Sequence, residues 1–211
     1  MKRTSRLISM TIALSLLLLS VSLAPAAQQK GGNPAAAPQK ASLPVLLTSC
    51  GQSPGPMQFE IFLKRLNMDY VYKGDATAAD LSSKSPAGAP IKSVIIVTGA
   101  SLKGMGAAGV SIEDEINRIR ALIAAAKKQN IKIIGAHIEG MQRRAQGAAP
   151  GDNSDEMSID AVCPQASLLI VKKEGDADGR FTTISKGMNI PMISYEKSME
   201  LESVLKALFA K

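Results

Sequence analysis

The chain has 211 residues, 45% of them apolar and 20% charged, with a formal net charge of +7. Such a length fits one sizeable core plus appendages and is too short for a two-lobed solute receptor. The positive charge invites a nucleic-acid reading, but five of the 25 basic residues (Lys2, Arg3, Arg6, Lys30, Lys40) precede Ser42, leaving 20 against 18 acidic residues in the rest. With no Trp and seven Phe and Tyr in all, that nearly neutral remainder lacks the stacking platforms of single-strand binders, so nucleic acid is excluded as a partner.

At the amino terminus, Lys2, Arg3 and Arg6 lead into the apolar run Leu7 to Leu23, and Ala24-Pro25-Ala26 supplies the small residues of a signal-peptidase site. Residues 1–26 are therefore expected to be a signal peptide cleaved after Ala26. A retained anchor is the weaker alternative, because the run is at the lower edge of spanning length and Ser9, Thr11, Ser15, Ser20 and Ser22 interrupt it. No stable membrane insertion is expected after cleavage. There is no twin-arginine pair, so export should be unfolded, to a periplasmic or secreted location, and no cofactor is expected to travel with the chain. Leu47-Thr48-Ser49-Cys50 superficially resembles a lipidation signal, but it lies far past the apolar run and reads better as a buried strand. Residues 27–41 are small, polar and proline-containing, a composition that cannot offset its ordering entropy, and are expected to be a flexible tail. A single domain then runs over 42–211.

Within that domain, strand patterns fall at Pro44 to Ser49, Tyr70 to Lys73, Ser93 to Thr98, Ile131 to Ile138, Ser167 to Lys172 and Ile190 to Ser194. Most are continuously apolar, as in parallel strands covered on both faces. Between them come helical patterns. Phe59, Phe62, Leu63 and Leu66 form one stripe; Ile112, Ile116, Ile119 and Ile123 form another, with Ser111 as cap, acids at its start and Lys127 and Lys128 at its end. Leu201, Val204, Leu205 and Leu208 form the last, and shorter helices are expected after Asp75, Asn153 and Asp178. The alternation predicts an α/β fold: a three-layer, doubly wound parallel sheet, Rossmann-like or flavodoxin-like, of five to six strands. Strand one and the Ser93 to Thr98 strand look central and Tyr70 to Lys73 looks like an edge, which predicts the order 2-1-3-4-5-6.

In such a sheet ligands sit beyond the carboxyl ends of the strands, where strand order reverses. Two loops meet there. Cys50 to Pro56 carries Gly51, Gln52 and Ser53 before a helix with proline at its first position, and its free amides could hold an anion. A cysteine-phosphatase reading fails, because Pro56 stands where the loop needs arginine. Gly99 to Gly109 carries Gly99, Ser101, Lys103 and Gly104. Its Gly104-Met-Gly-Ala-Ala-Gly109 matches a dinucleotide fingerprint in letters only: it starts six residues after Thr98, and Glu139 lies 30 residues beyond Gly109. Met105 stands where a P-loop needs lysine, and no Tyr-x-x-x-Lys accompanies Thr98-Gly-Ala-Ser101. What remains is a glycine-rich segment able to bring amides and one cation to a small ligand, with simple loop flexibility as the competing reading.

The third loop, His137 to Asn153, is long for its place and carries His137, Glu139, Arg143, Arg144, Asp152, Asp155 and Glu156. As the only histidine, His137 cannot belong to a multi-histidine metal site, and no metal is expected. A structural or merely exposed histidine is the alternative to a ligand contact. Asp176-Ala-Asp178-Gly179 resembles half a calcium loop, but Arg180 replaces the next oxygen ligand, and a capping role for Asp178 explains it. The two cysteines, Cys50 and Cys163, are expected to be free thiols, because the topology sends them toward opposite edges of the sheet.

The segments LPVLLTSCGQSPG, SVIIVTGASLKGMGAAGVSIEDEI, IKIIGAHIEG and NIPMISYEKSMEL resemble a bacterial family of exported single-domain α/β proteins catalogued only as a domain of unknown function. The resemblance spans roughly 43–211 and implies an exported domain with ligand-facing loops, without assigned catalytic residues. The expected function is binding, without catalysis, of a small polar or anionic molecule, held mainly by backbone donors. Gly51, Gln52 and Ser53 form one wall, Gly99, Ser101, Lys103 and Gly104 the other, and His137 and Glu139 the margin; Ser53 and Lys103 are expected to be exposed. Two alternatives stand beside it. One is an extracytoplasmic hydrolase using Cys50 or a serine among Ser49, Ser53 and Ser101 with His137 as base; the other is a scaffold for another, unidentified exported protein.

Overall fold

The computed structural model describes residues 40–141, 144 and 152–210. Six strands form one sheet: β1 (Val45–Cys50), β2 (Tyr70–Tyr72), β3 (Ser93–Thr98), β4 (Lys132–His137), β5 (Leu168–Lys172) and β6 (Met192–Tyr195). Every pairing is parallel and the order is β2-β1-β3-β4-β5-β6, so chain direction across the sheet reverses between β1 and β3. The order read from apolar patterning is the observed one. β1 and β3 are buried at every residue, as their uninterrupted apolar runs require of strands covered on both faces.

Among the described residues six α-helices cover the sheet: α1 (Pro56–Arg65), α2 (Leu102–Ala108), α3 (Ile112–Lys128), α4 (Ser154–Val162), α5 (Arg180–Met188) and α6 (Glu200–Leu208). Because each crossover tends to be right-handed, the reversal of winding puts helices on opposite faces. Phe59, Phe62 and Leu63 of α1 and Leu201, Leu205 and Leu208 of α6 pack with Leu47, Ile95 and Ile134 on one face. Ile116, Ile119 and Leu122 of α3, Ile159 of α4 and Phe181 of α5 pack with Leu46, Ile96 and Ile133 on the other. Alternate residues of each strand therefore serve separate cores, the period-two consequence of the pleat.

The local signals act as their chemistry dictates. Ser111 and Asp114 close a capping box at the start of α3, each side chain taking the other's backbone amide, while Lys127 and Lys128 occupy its last turn. Pro56 stands at the first position of α1. After Asp75 the expected short helix is a 3-10 segment, Ala78–Ser82. The expected signal peptide (1–26), residues 27–39 of the expected tail and Arg143 lie outside the described residues. Lys40 and Ala41 are tied to the end of α6, Lys40 Nζ donating to Ala210 O and Ala41 N to Leu208 O, so the folded unit takes in these two residues as well. Both cysteines are free and buried, and both belong to the α3–α5 core.

Candidate functional site

The loops that follow β1 and β3 do meet at the carboxyl edge of the sheet. They meet by closing on each other. Ser101 N donates to Gly51 O at 2.7 Å, and Gln52 and Ala100 form an antiparallel bridge. Gly99 to Gly109, expected as an open loop, instead folds its middle into the seven-residue α2, with Ser101 Oγ capping the Gly104 amide at 3.0 Å and Gly109 ending it in the left-handed region. Gly104 is required by this closure: a Cβ there would stand 2.4 Å from Gln52 O, so any other residue would push α2 off the β1 loop.

Several amides at this edge, among them those of Gly51 and Gly99, are already engaged. Gly51 N donates to Glu115 Oε2 at 2.9 Å, Gly55 N to Ser53 Oγ at 3.3 Å and Gly99 N to Ser158 Oγ at 3.1 Å, while Ala100 N donates to Asp155 Oδ1. The expectation of a ligand held mainly by backbone donors is thereby corrected, because α3 and α4 deliver acceptors of their own to those donors. Glu115, only 2% exposed, is the centre of this arrangement. Arg118 pairs with it at 2.7 Å and also donates to Ser49 O and Ala76 O, binding α3 to the end of β1 and to the segment after β2. Burial pushes the Glu115 carboxyl up, but Arg118, the Gly51 amide and the Gln52 side chain outweigh it and hold the acid below its ordinary range.

Gln52 is held in the left-handed region at φ 54°. The other non-glycine residues there, Asn67, Asn130 and Asn189, are of the type that tolerates it and lie just past helix ends. A glutamine so placed is strained, by roughly 1–3 kcal/mol, and persists only because its surroundings over-determine it.

Ser53, expected to be exposed, is only 5% so. It lies beside α1, where Gly55 approaches both its hydroxyl and the side chains of Val97 and Ile138. Gly99 separates it from Glu139: a Cβ on Gly99 would be 3.4 Å from Ser53 Oγ and 3.3 Å from Glu139 Oε2. Lys103 is exposed, while Gln52, Ser101, Gly104 and Glu139 are half-buried. One edge thus gathers eight of the nine expected contact residues.

His137 is the one that departs. It is 1% exposed, on the opposite face of the sheet from Ser53, with Nδ1 3.0 Å from Thr98 Oγ1 and its ring stacked on Phe181 at 4.9 Å. Burial and the Arg144 guanidinium lower its pKa to about 4. Among the described contacts none joins it to Cys50, Ser49, Ser53 or Ser101, so the expected pairing of His137 with a nucleophile is not formed. Cys50 fares no better as a thiolate, because burial raises its pKa to about 11; burial raises Cys163 also.

Beside His137, Arg144 turns inward, donating to Glu156, Asp178 and Gly175 O while stacking over Phe181. Asp178 does accept the Arg180 amide, but at the start of α5 Asp176 takes more of the capping, receiving the Phe181 and Thr182 amides. Sequence reasoning placed Glu115 only as a helix-dipole acid. Its spacing of four from Ile119 and seven from Leu122 puts it on the apolar stripe, and Arg118 follows three residues later; a charge on that stripe with a partner one turn away is the legible signal. Likewise Asp155 and Ser158 share the buried face of α4 with Ile159 and Val162.

The model of a family described as Domain of unknown function (DUF6305) matches residues 42–209. No curated protein matches by sequence. Among solved structures, a GDSL-like lipase from Bacteroides thetaiotaomicron is 14% identical, with TM-score 0.34 over 72% of this chain and 67% of its own. A putative acylhydrolase from Bacteroides fragilis is 15% identical, with TM-score 0.34 over 74% and 68%. A truncated 3-deoxy-D-arabino-heptulosonate 7-phosphate synthase from Thermotoga maritima is 11% identical, with TM-score 0.32 over 82% and 51%. Likenesses of this order say nothing of activity.

Proposed function

The chain belongs to this family of unknown function, and from its own geometry we propose an exported, non-catalytic binding domain whose ligand, a small polar or anionic molecule, meets the carboxyl edge of β1 and β3. The ligand is held by side chains, chiefly Lys103, Gln52, Ser101 and Glu139, on a backbone already locked from within. The strained Gln52 carries this reading. A left-handed glutamine fixed by Glu115, by the bridge to Ala100 and by the close approach of Gly104 stores strain at the place where doubly wound sheets bind their ligands. The locked backbone leaves little ordering to be done on binding, which favours affinity.

The test is a thermal-shift titration of the purified protein with inorganic phosphate, malonate, citrate and glucose. A ligand selective for the native state raises the midpoint with concentration. At least one probe is expected to do so, and Lys103→Ala to remove the shift. Midpoints indifferent to every probe, or shifts unchanged in Lys103→Ala, defeat the reading.

One observation favours the hydrolase alternative in a form without histidine: the Ser53 hydroxyl and the Glu139 carboxylate flank Gly99 from two sides. In that case turnover of p-nitrophenyl acetate by the protein would disappear in Ser53→Ala.

A further inference from the structure

The β4–β5 corner reaches the β1–β3 edge through α4. Gly99 N donates to Ser158 Oγ and Ala100 N to Asp155, both on α4, and Ser158 Oγ itself donates to Cys50 O at 2.7 Å. Between Asp155 and Ser158 stands Glu156, whose carboxylate meets Arg144 at 2.8 Å and Arg180 at 2.6 Å. The start of one helix thus grips the β3 loop with two side chains and a buried guanidinium with a third.

That guanidinium lies beside a histidine that stays neutral. The Thr98 hydroxyl donates to Ala136 O at 3.1 Å, so the proton between Thr98 Oγ1 and His137 Nδ1, 3.0 Å apart, belongs to the imidazole, and Nε2 is the bare nitrogen. Nε2 is buried and has no hydrogen-bond partner among the described residues. Imidazole and guanidinium share their walls. Both lie on the Phe181 ring, at 4.9 and 5.5 Å from its centroid. Both also meet Gly175, whose carbonyl takes Arg144 Nη1 at 2.8 Å and on which a Cβ would stand 3.3 Å from Nε2.

A proton on Nε2 sets two cations side by side, away from water. Burial and Arg144 oppose it, while Asp178 and the backbone groups of Thr98 and Glu139 favour it; the opposition wins, and the imidazole pKa falls to about 4. Glu156 of α4 faces the same corner and is already shared by Arg144 and Arg180. The least costly way to take the proton is to move the Arg144 side chain out, because its partners Glu156 and Asp178 already reach water. Glu156 is then held from α5 alone, and the start of α4 loses its tie to the end of β4.

We propose that His137 is a pH sensor for the β1–β3 edge: a proton on Nε2 displaces Arg144, α4 shifts, and Asp155 and Ser158 loosen their hold on the amides of Ala100 and Gly99. The displaced form gives the imidazole back its ordinary pKa, so it gains on the closed form as pH falls below about 6.5. The coupling stands on these contacts. Its consequence, that the edge holds its ligand at neutral pH and releases it in acid, rests on the binding reading above. Coupling is reciprocal, so a ligand that fixes Gly99 and Ala100 also lowers the imidazole pKa.

The experiment is an NMR titration of the purified protein from about pH 7.5 to 3.5, following the His137 imidazole and the amides of Val45, Gly99 and Ala100. The Gly99 and Ala100 amides are expected to move with the midpoint of the imidazole, between about pH 4 and 6.5, and Val45, bonded to Asp69 O at the far end of β1, to stay. His137→Gln should remove that midpoint. Arg144→Met should raise the imidazole midpoint and remove most of the Ala100 response, since the arm to α4 is gone; the wild-type titration decides by itself if either variant fails to fold. Amides that stay still while the imidazole titrates, an Ala100 response unchanged in Arg144→Met, or unfolding of the protein before the imidazole titrates overturns the proposal. Sulfate, whose charge is constant over this range, is expected to bind at least about twofold more weakly at pH 4 than at pH 7 in the wild type, and equally at both in His137→Gln. Sulfate bound at neither pH counts against the binding reading alone, and the amides then decide the coupling.

Discussion

At the β1–β3 corner the most buried member of the ion pair is an acid, Glu115, whose partner Arg118 is itself nearly buried; at the β4–β5 corner it is a base, Arg144, whose partners Glu156 and Asp178 are 32% and 40% exposed. The two corners look alike as hydrogen-bond networks, but they differ in what remains when the network is cut. Losing Arg118 strands a carboxylate that water cannot reach. Losing Arg144 leaves two carboxylates that water can solvate, plus one carbonyl, Gly175 O, without its donor. The cost of breaking a buried pair lies mostly in the charge left behind, so the first corner is the rigid anchor of the domain and the second the softer one.

The largest effect expected from this contrast is that of Arg118→Met, which should destabilise the protein by roughly 3–5 kcal/mol in urea unfolding. A loss below that of Arg144→Met would reverse the ranking of the corners. Glu115→Gln should be milder, because it keeps an acceptor for Gly51 N.

Next comes acid. His137 is neutral in the fold, with its pKa lowered to about 4 from the ordinary histidine value of about 6.5. A depressed histidine pKa means that the unfolded chain takes the proton first, so this stability is present above about pH 6.5 and is lost as pH falls toward 4, by about 3 kcal/mol over the whole window. Unfolding free energies measured between pH 7 and 4.5 should show that slope, and His137→Gln should flatten it. A slope unaffected by the substitution would place the sensitivity in the carboxylates, which act lower.

Arg144→Met is expected to destabilise by about 2 kcal/mol, the loss of charged hydrogen bonds less the hydration regained by Glu156 and Asp178. It should also raise the His137 pKa, because a neighbouring positive charge is removed; an NMR titration of the imidazole reads this directly. The smallest effect is that of Lys103→Ala, within about 0.5 kcal/mol on stability, as expected of an exposed side chain. A larger loss in chemical denaturation would mean that Lys103 belongs to the framework and not to the binding edge.

How much of this was legible in the sequence differs element by element. The apolar runs of Val45–Cys50 and Ser93–Thr98 told of strands covered on both faces, and the weaker Tyr70–Tyr72 run told of an edge; together these specify the strand order. The same strand order locates the meeting of the β1 and β3 loops. The Ser111 cap of α3 is equally plain, although the reciprocal bond from Asp114 shows only in the structure. By contrast, the sequence of α2 reads as an open loop although Ser101 and Gly109 stand at the cap positions of a helix, because Gly104 and Gly106 lower helix propensity between them. Only the Gln52 carbonyl packed against Gly104 explains why a glycine stands there.

The sequence by itself determined the layers, the winding and the corner where the loops gather, since these follow from periods of two and 3.6 residues that any window of the chain displays. Tertiary structure alone decided whether that corner is open. The donors of Gly51, Gly99 and Ala100 are taken by Glu115, Ser158 and Asp155, which lie 64, 59 and 55 residues further along the chain. A free amide and a satisfied one are the same letter in a sequence, and only the packing of α3 and α4 against the sheet brings the acceptors that tell them apart.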